Sequence, residues 1–240
     1  MEERLCYDLS VAFLSLGNAA KRNNSEGIKK GINYLMKRSS ILTIAALCLT
    51  ASVGFGQSAK FNASRTFNFD PDHTGGVNAY WANGVGLPDA SGNSNFGLYA
   101  EKTVATSANA AAGAVLDGLK GVVVQTGDTL GYDMSNDSTC ASGPRFNVSY
   151  TLPNGTSGFS FVGGCNNSTK TVSCQNPNWT RNRLNLQDPN QAFPIIPAGS
   201  VIQSVVLIVD EQGTYKMDNI NFRDQIATKP GTSSTSTGCP

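Results

Sequence analysis

Along residues 145–152, RFNVSYTL sets an apolar side chain at every second position, Phe146, Val148, Tyr150 and Leu152. That is the period of a β-strand with one covered face. PNGTSG then supplies turn residues, and FSFVGGC (159–165) returns with Phe159 and Phe161, so the two runs read as a hairpin. Upstream, KFNASRTFNFD (60–70) alternates Phe67 and Phe69 with polar neighbours, and FGLYAEKTVA (96–105) alternates around Leu98 and Ala100. Both read as half-buried strands. SVIQSVVLIVDE (200–211) is nearly continuous in Val, Ile and Leu, as expected of a central strand. YKMDNINF (215–222) is expected to pair with it across the turn Asp210–Thr214.

The alternation in YKMDNINF changes parity. Tyr215 and Met217 share one face, Ile220 and Phe222 the other register, and Asp218–Asn219 occupy the slip. A β-bulge inserts the extra residue such a slip requires. Elsewhere, the alanines of TSANAAAGAVLDGL (106–119) predict a short helix interrupted by Gly113 and Gly118, and LKGVVVQTGDTLGYDMS (119–135) reads as two strands about Gly127. About eight short strands joined by Gly, Asn and Asp turns predict an all-β fold. The expected form is a two-sheet antiparallel β-sandwich, jelly-roll-like, with at most one short helix.

Composition sharpens this picture. Only 15% of the 240 residues are charged and 25 are glycine, a turn-rich profile that suits an extracellular β-protein. MKRSSILTIAALCLTASVGFGQ (36–57) has the cations, the apolar run Ile41–Leu49 and the small residues of a bacterial-type secretory signal. The run is too short for a membrane span. Residues 1–35 are expected to be an upstream leader, untranslated or disordered; the alternative is a cytoplasmic leader anchored by an uncleaved signal. Residues 36–56 are then the signal peptide, 57–226 the sandwich and 227–240 a Ser/Thr-rich tail. From residue 57 onward the chain carries eleven basic and thirteen acidic residues. No Lys/Arg stripe is present to neutralise a phosphate backbone, which argues against nucleic acid as a partner.

Beyond the signal lie Cys140, Cys165, Cys174 and Cys239, an even number in an exported chain, and two disulfides are expected. The hairpin brings Cys140 to Cys165 and leaves Cys174 for Cys239. The rival pairing joins Cys165 to Cys174 and Cys140 to Cys239.

FNFDPDHTGGVNAYW, FGLYAEKT and YKMDNINF, taken in order, resemble the jelly-roll, galactose-binding-like family of carbohydrate-binding modules. The chain is similar, too, to secreted bacterial β-proteins with no assigned activity. The resemblance implies a structural calcium ion held by Asp218 with Asp70 or Asp72, and a glycan as partner. Read from the residues alone, Asp218 has three roles open to it: a bulge residue bonding backbone amides, a calcium ligand, or a sugar contact.

Catalysis finds little support. Any Ser/His/Asp or Cys/His arrangement has to use His73, the only histidine, which lies in the turn-like DPDHTGG. Glu101, Asp210 and Glu211 have no spacing that separates a glycosidase pair from solvated charges. Sugar binding uses flat aromatic faces and planar polar groups, and Tyr80, Trp81, Trp179, Arg181 and Arg183 are of that kind. Trp81, which follows a strand-like run in NAYWANG, reads as a core residue ahead of a stacking one. Trp179, among Asn, Pro and Arg in QNPNWTRNR, reads as an exposed loop residue. A secreted, non-enzymatic binding module for extracellular carbohydrate is the expectation, and the alternative is a surface or matrix adhesion protein with no small ligand.

Overall fold

The computed structural model describes residues 61–89, 94–227 and 229. The upstream leader, the signal segment, most of the tail, and with them Cys6, Cys48 and Cys239, lie outside the described residues. The strands are, in chain order, β1 (Asn62–Phe69), β2 (Val77–Asn83), β3 (Phe96–Lys102), β4 (Ala111–Asp117), β5 (Thr129–Ser135), β6 (Arg145–Thr151) and β7 (Ser157–Gly163). They continue with β8 (Thr169–Val172), β9 (Trp179–Asn185), β10 (Ala192–Phe193), β11 (Val201–Val209), β12 (Gly213–Phe222) and β13 (Gln225–Ala227). One sheet has the order β1-β4-β11-β6-β7-β10. The other has β2-β3-β12-β5-β9-β8, with β13 added to β12. Every pairing between named strands is antiparallel. Among the described residues the sole helical element is the 3-10 turn Cys165–Asn167, and no helix is long and apolar enough to cross a membrane.

The core is what the alternation dictates. Phe146, Val148, Tyr150, Val205, Leu207 and Val209 point inward from the first sheet, and Leu98, Leu130, Tyr132, Met134, Tyr215 and Met217 from the second. β6 and β7 form the expected hairpin, in register from Arg145↔Gly163 to Thr151↔Ser157. β11 is the expected central strand, flanked by β4 and β6.

Four expectations are corrected. First, no helix forms over 106–119: its second half is β4, set between β1 and β11. A Cβ on Gly113 would stand 2.0 Å from the Leu207 carbonyl oxygen, so the small residues serve a close backbone approach, and strand pairing overrides alanine's helix preference. Second, residues 119–127 supply only an isolated bridge, Val123↔Val201, so β5 is the one strand of that stretch. Third, Ser160 and Val162 are the inward residues of β7, leaving Phe159 and Phe161 half-buried on the outer face, edge to face at 5.0 Å. Fourth, β12 pairs with β3 and β5 in the opposite sheet rather than with β11.

The chain therefore crosses the sandwich at Asp210–Gln212, and this junction is fastened. The Asp210 carboxylate pairs with Arg145, and its carbonyl accepts from Lys102 Nζ at 2.8 Å. Lys102 is 1% exposed and also donates to the carbonyls of Thr106 (3.0 Å) and Ala108 (2.7 Å). Burial pulls its ammonium below the ordinary lysine range, against the nearby charges of Asp210 and Glu211.

Cys140 and Cys165 are disulfide-bonded, as the hairpin argument predicts, with 5.3 Å between their Cα atoms. Cys174 is disulfide-bonded as well; its expected partner Cys239 lies outside the described residues. A sequence separation of 25 residues makes the Cys140–Cys165 link worth about 3.5 kcal/mol in loop-closure entropy. Replacing both cysteines by serine is expected to lower the free energy of unfolding by that order, measured by urea titration. An unchanged midpoint would show the link to be incidental.

Candidate binding surface

The slip in YKMDNINF is a β-bulge. Pairing of β12 with β5 shifts between Asp218 and Asn221, and Asn219 takes φ 46°, a left-handed conformation that asparagine tolerates. Tyr215 and Met217 face the core, which sends Lys216 and Asp218 to the outer face. Register then lays out a row across that face: Asp218 opposite Asp133, Asp133 opposite Arg181, Arg181 opposite Thr171.

Asp218, Arg181 and Arg183 are thus brought together, around a residue the sequence reading did not single out. Asp133 is fully buried, and its Oδ1 lies 3.5 Å from Arg181 Nε and 3.4 Å from an Arg183 terminal nitrogen. Its Oδ2 accepts from Asn219 Nδ2 at 3.0 Å. The Asp218 carboxylate accepts from the Asn219 amide at 2.7 Å and from the Leu87 amide at 2.8 Å. Leu87 belongs to a segment lying flat on the strands; a Cβ on Gly86 would meet the Phe96 carbonyl oxygen at 2.3 Å and Asp218 Oδ2 at 2.6 Å. Further along this segment Asp89 accepts from Ser94 Oγ (2.7 Å) and the Phe96 amide (3.0 Å).

Three carboxylates here face two guanidinium groups. Burial first, opposed by the two backbone amides and reinforced by the charges of Asp89 and Asp133, pushes Asp218 up to about 7. Burial also lowers Arg183, an effect that Asp133 opposes and Arg181 adds to. With Asp218 protonated, the formal charges of the cluster balance. Asp133, Asp218, Asn219 and Asp89 are all between 0% and 6% exposed, so the network is sealed under the cap segment rather than open to a ligand.

The other predicted residues fall elsewhere. Trp179 is not on an exposed loop: it opens β9 and is 5% exposed. Trp81 is half-buried against the core, its indole N–H donating to the Ala63 carbonyl at 2.9 Å. Asp70 and Asp72 lie in the β1–β2 connection. The amides of Thr74 and Gly75 and the Thr74 hydroxyl all donate to Asp70, and these bonds, the Thr74 amide foremost, hold its carboxyl below the usual range. The acids that act on Asp218 are Asp89 and Asp133, not Asp70 and Asp72. Among the described residues no group of three or more His, Cys, Asp and Glu side chains is arranged to hold a metal ion. A cation seated on Asp218 would have to displace the amides that its oxygens now accept.

Tyr80 is the predicted residue that remains open, 44% exposed on β2. Tyr99 stands directly opposite it on β3, with ring centroids 5.2 Å apart and planes at 37°. The Tyr99 hydroxyl donates to Glu101 Oε2 at 2.9 Å. Asn78 flanks Glu101 on β2, and Thr214 flanks it on β12. Lys216 lies opposite Tyr99 with its ammonium 2.6 Å from the Asp137 carboxylate. Two rings, an amide, a carboxylate and an ion pair therefore share one face of the second sheet. Tyr99 and Glu101 could have been found from sequence: with Leu98 and Ala100 inward, FGLYAEK puts both outward together.

No family model matches the chain, and no curated protein is significantly similar to it. Two solved structures are similar to it in part. One comes from work on the promiscuous specificity of carbohydrate-binding modules of the β-sandwich superfamily. It has 15% identity and a TM-score of 0.33, over 71% of this chain and 60% of that one. The other is an exo-β-agarase, with 13% identity and a TM-score of 0.34, over 73% of this chain and 25% of that one. The chain spans less than two thirds of either.

Proposed function

We propose that the chain is a secreted, non-catalytic β-sandwich module that binds extracellular carbohydrate through the outer face of its second sheet. The observation that supports this reading is the open Tyr80–Tyr99 pair with polar groups on both sides. A pyranose ring presents C–H groups on one face and hydroxyls around its rim. Aromatic faces take the first, and amide, carboxylate and ammonium groups take the second. The buried Asp133–Asp218 network supports the strands beneath, fixing the rows on which these side chains stand.

Affinity electrophoresis through gels containing soluble polysaccharides tests the reading. Wild type is expected to be retarded by particular glycans, and Tyr80→Ala to lose about tenfold in affinity, the cost of one stacking ring. Retardation by none of them, or a Tyr80→Ala variant that migrates like wild type, would overturn it. Structural calcium is a separate question, since the Asp218 oxygens already accept two amides; loss of retardation on adding a chelator would support it, and unchanged retardation would count against it.

An adhesion or matrix role has one observation in its favour. Phe193 (43%), Ile195 (40%) and Val172 (69%) are apolar side chains exposed away from the tyrosine pair. Polymers or filaments seen by electron microscopy, without glycan retention, would favour it.

A further inference from the structure

We propose that Tyr80, Tyr99 and Glu101 form a subsite for a protonated amino sugar, so that the module's ligand is a polymer rich in free hexosamine rather than a neutral or acidic glycan. This rests on the reading that the tyrosine face binds carbohydrate.

The Tyr80 and Tyr99 rings contact each other at a 37° tilt, presenting two electron-rich faces at neighbouring strand positions. Glu101 lies two residues along β3 from Tyr99, on the same side, and opposite Asn78. Its Oε2 takes the Tyr99 hydroxyl; among the described residues no donor reaches Oε1. Aromatic faces beside a carboxylate attract an ammonium group by quadrupole and charge together.

The nearby cations do not satisfy that demand. Lys216 is bound to Asp137 at 2.6 Å, and the two charges cancel. Lys102 follows Glu101 in the chain but points inward, its ammonium held by three carbonyls. The patch therefore carries one uncompensated negative charge, on Glu101. A uronate or sulfate would be repelled there, and an acetylated amine would gain nothing from it.

Isothermal titration with glucosamine oligomers and with the same oligomers N-acetylated, at pH 5.5, separates the possibilities. Wild type is expected to bind the free-amine form at least about tenfold more tightly, with the preference shrinking in high salt. Glu101→Gln keeps the shape and the Tyr99 hydrogen bond and is expected to abolish the preference, while Tyr80→Ala weakens both ligands. Equal or tighter binding of the acetylated form, or a preference that survives Glu101→Gln, overturns the inference and leaves the glycan reading standing. A lysine-rich peptide that displaces the oligomer equally well overturns it too, since the sugar ring would then contribute nothing. Binding of neither form, nor of any other glycan, defeats both.

Discussion

Replacing Asp133 by alanine is expected to lower the free energy of unfolding by about 3–5 kcal/mol, the cost of breaking a buried ion pair from one side. The side chain is fully buried, and Arg181, Arg183 and Asn219 all converge on its two oxygens. Alanine removes their shared acceptor and leaves two largely buried guanidinium groups without the carboxylate that faces them. Chemical denaturation followed by tryptophan fluorescence measures the loss, because Trp179 opens the same strand as the two arginines. A loss below about 1 kcal/mol would mean that the arginines find other acceptors and that the network is dispensable. The substitution also removes one of the charges that raise Asp218.

Stability is expected to increase as pH falls from 8 towards 5. The folded-state value of Asp218 is pushed up to about 7 from the ordinary 3.8, so the folded chain holds this proton more tightly than the unfolded chain does. The contribution is complete below the unfolded value and is lost as pH rises through 7, amounting to on the order of 4 kcal/mol. Asp70, Asp117 and Asp137 have lowered values and lose stability only below about pH 4, outside that window. Calorimetry at pH 5, 6, 7 and 8 is expected to show a melting temperature rising by on the order of 10 °C towards acid. Asp218→Asn should flatten the profile. A melting temperature that is constant or climbs from pH 5 to 8 would show that Asp218 is ionised throughout.

Much of the architecture was legible in the residue pattern. The β6–β7 hairpin, the central β11 and the bulge at Asp218–Asn219 follow from alternation and its interruption, because each depends on which face a side chain must take. The Cys140–Cys165 link followed from the hairpin. β4 was not legible, since alanine's helix preference is local, whereas the value of small side chains beside β11 emerges only when three strands meet. The placement of β12 failed for a related reason. A short polar turn between two apolar runs reads the same whether the chain doubles back within a sheet or crosses to another.

The candidate residues divide along the same line. Asp218, Arg181 and Arg183 carry recognisable chemistry, but their common partner Asp133 sits mid-strand between the core residues Tyr132 and Met134. Its importance is a matter of register with β9 and β12, which no single segment reveals. Trp179 looked exposed because its sequence neighbours are polar; the cover comes from the fold. Tyr80 remained open, and its counterpart Tyr99 needed only strand parity to be paired with it.

The three carbonyls around Lys102 hold what amounts to a tethered counter-ion. An inorganic ion at such a junction comes and goes with the medium, while a side-chain ammonium is present at unit occupancy in dilute water and in brine alike. This part of the crossing therefore does not depend on an ion drawn from the medium, and reagents that acylate surface amines will find this one only after the sandwich has come apart.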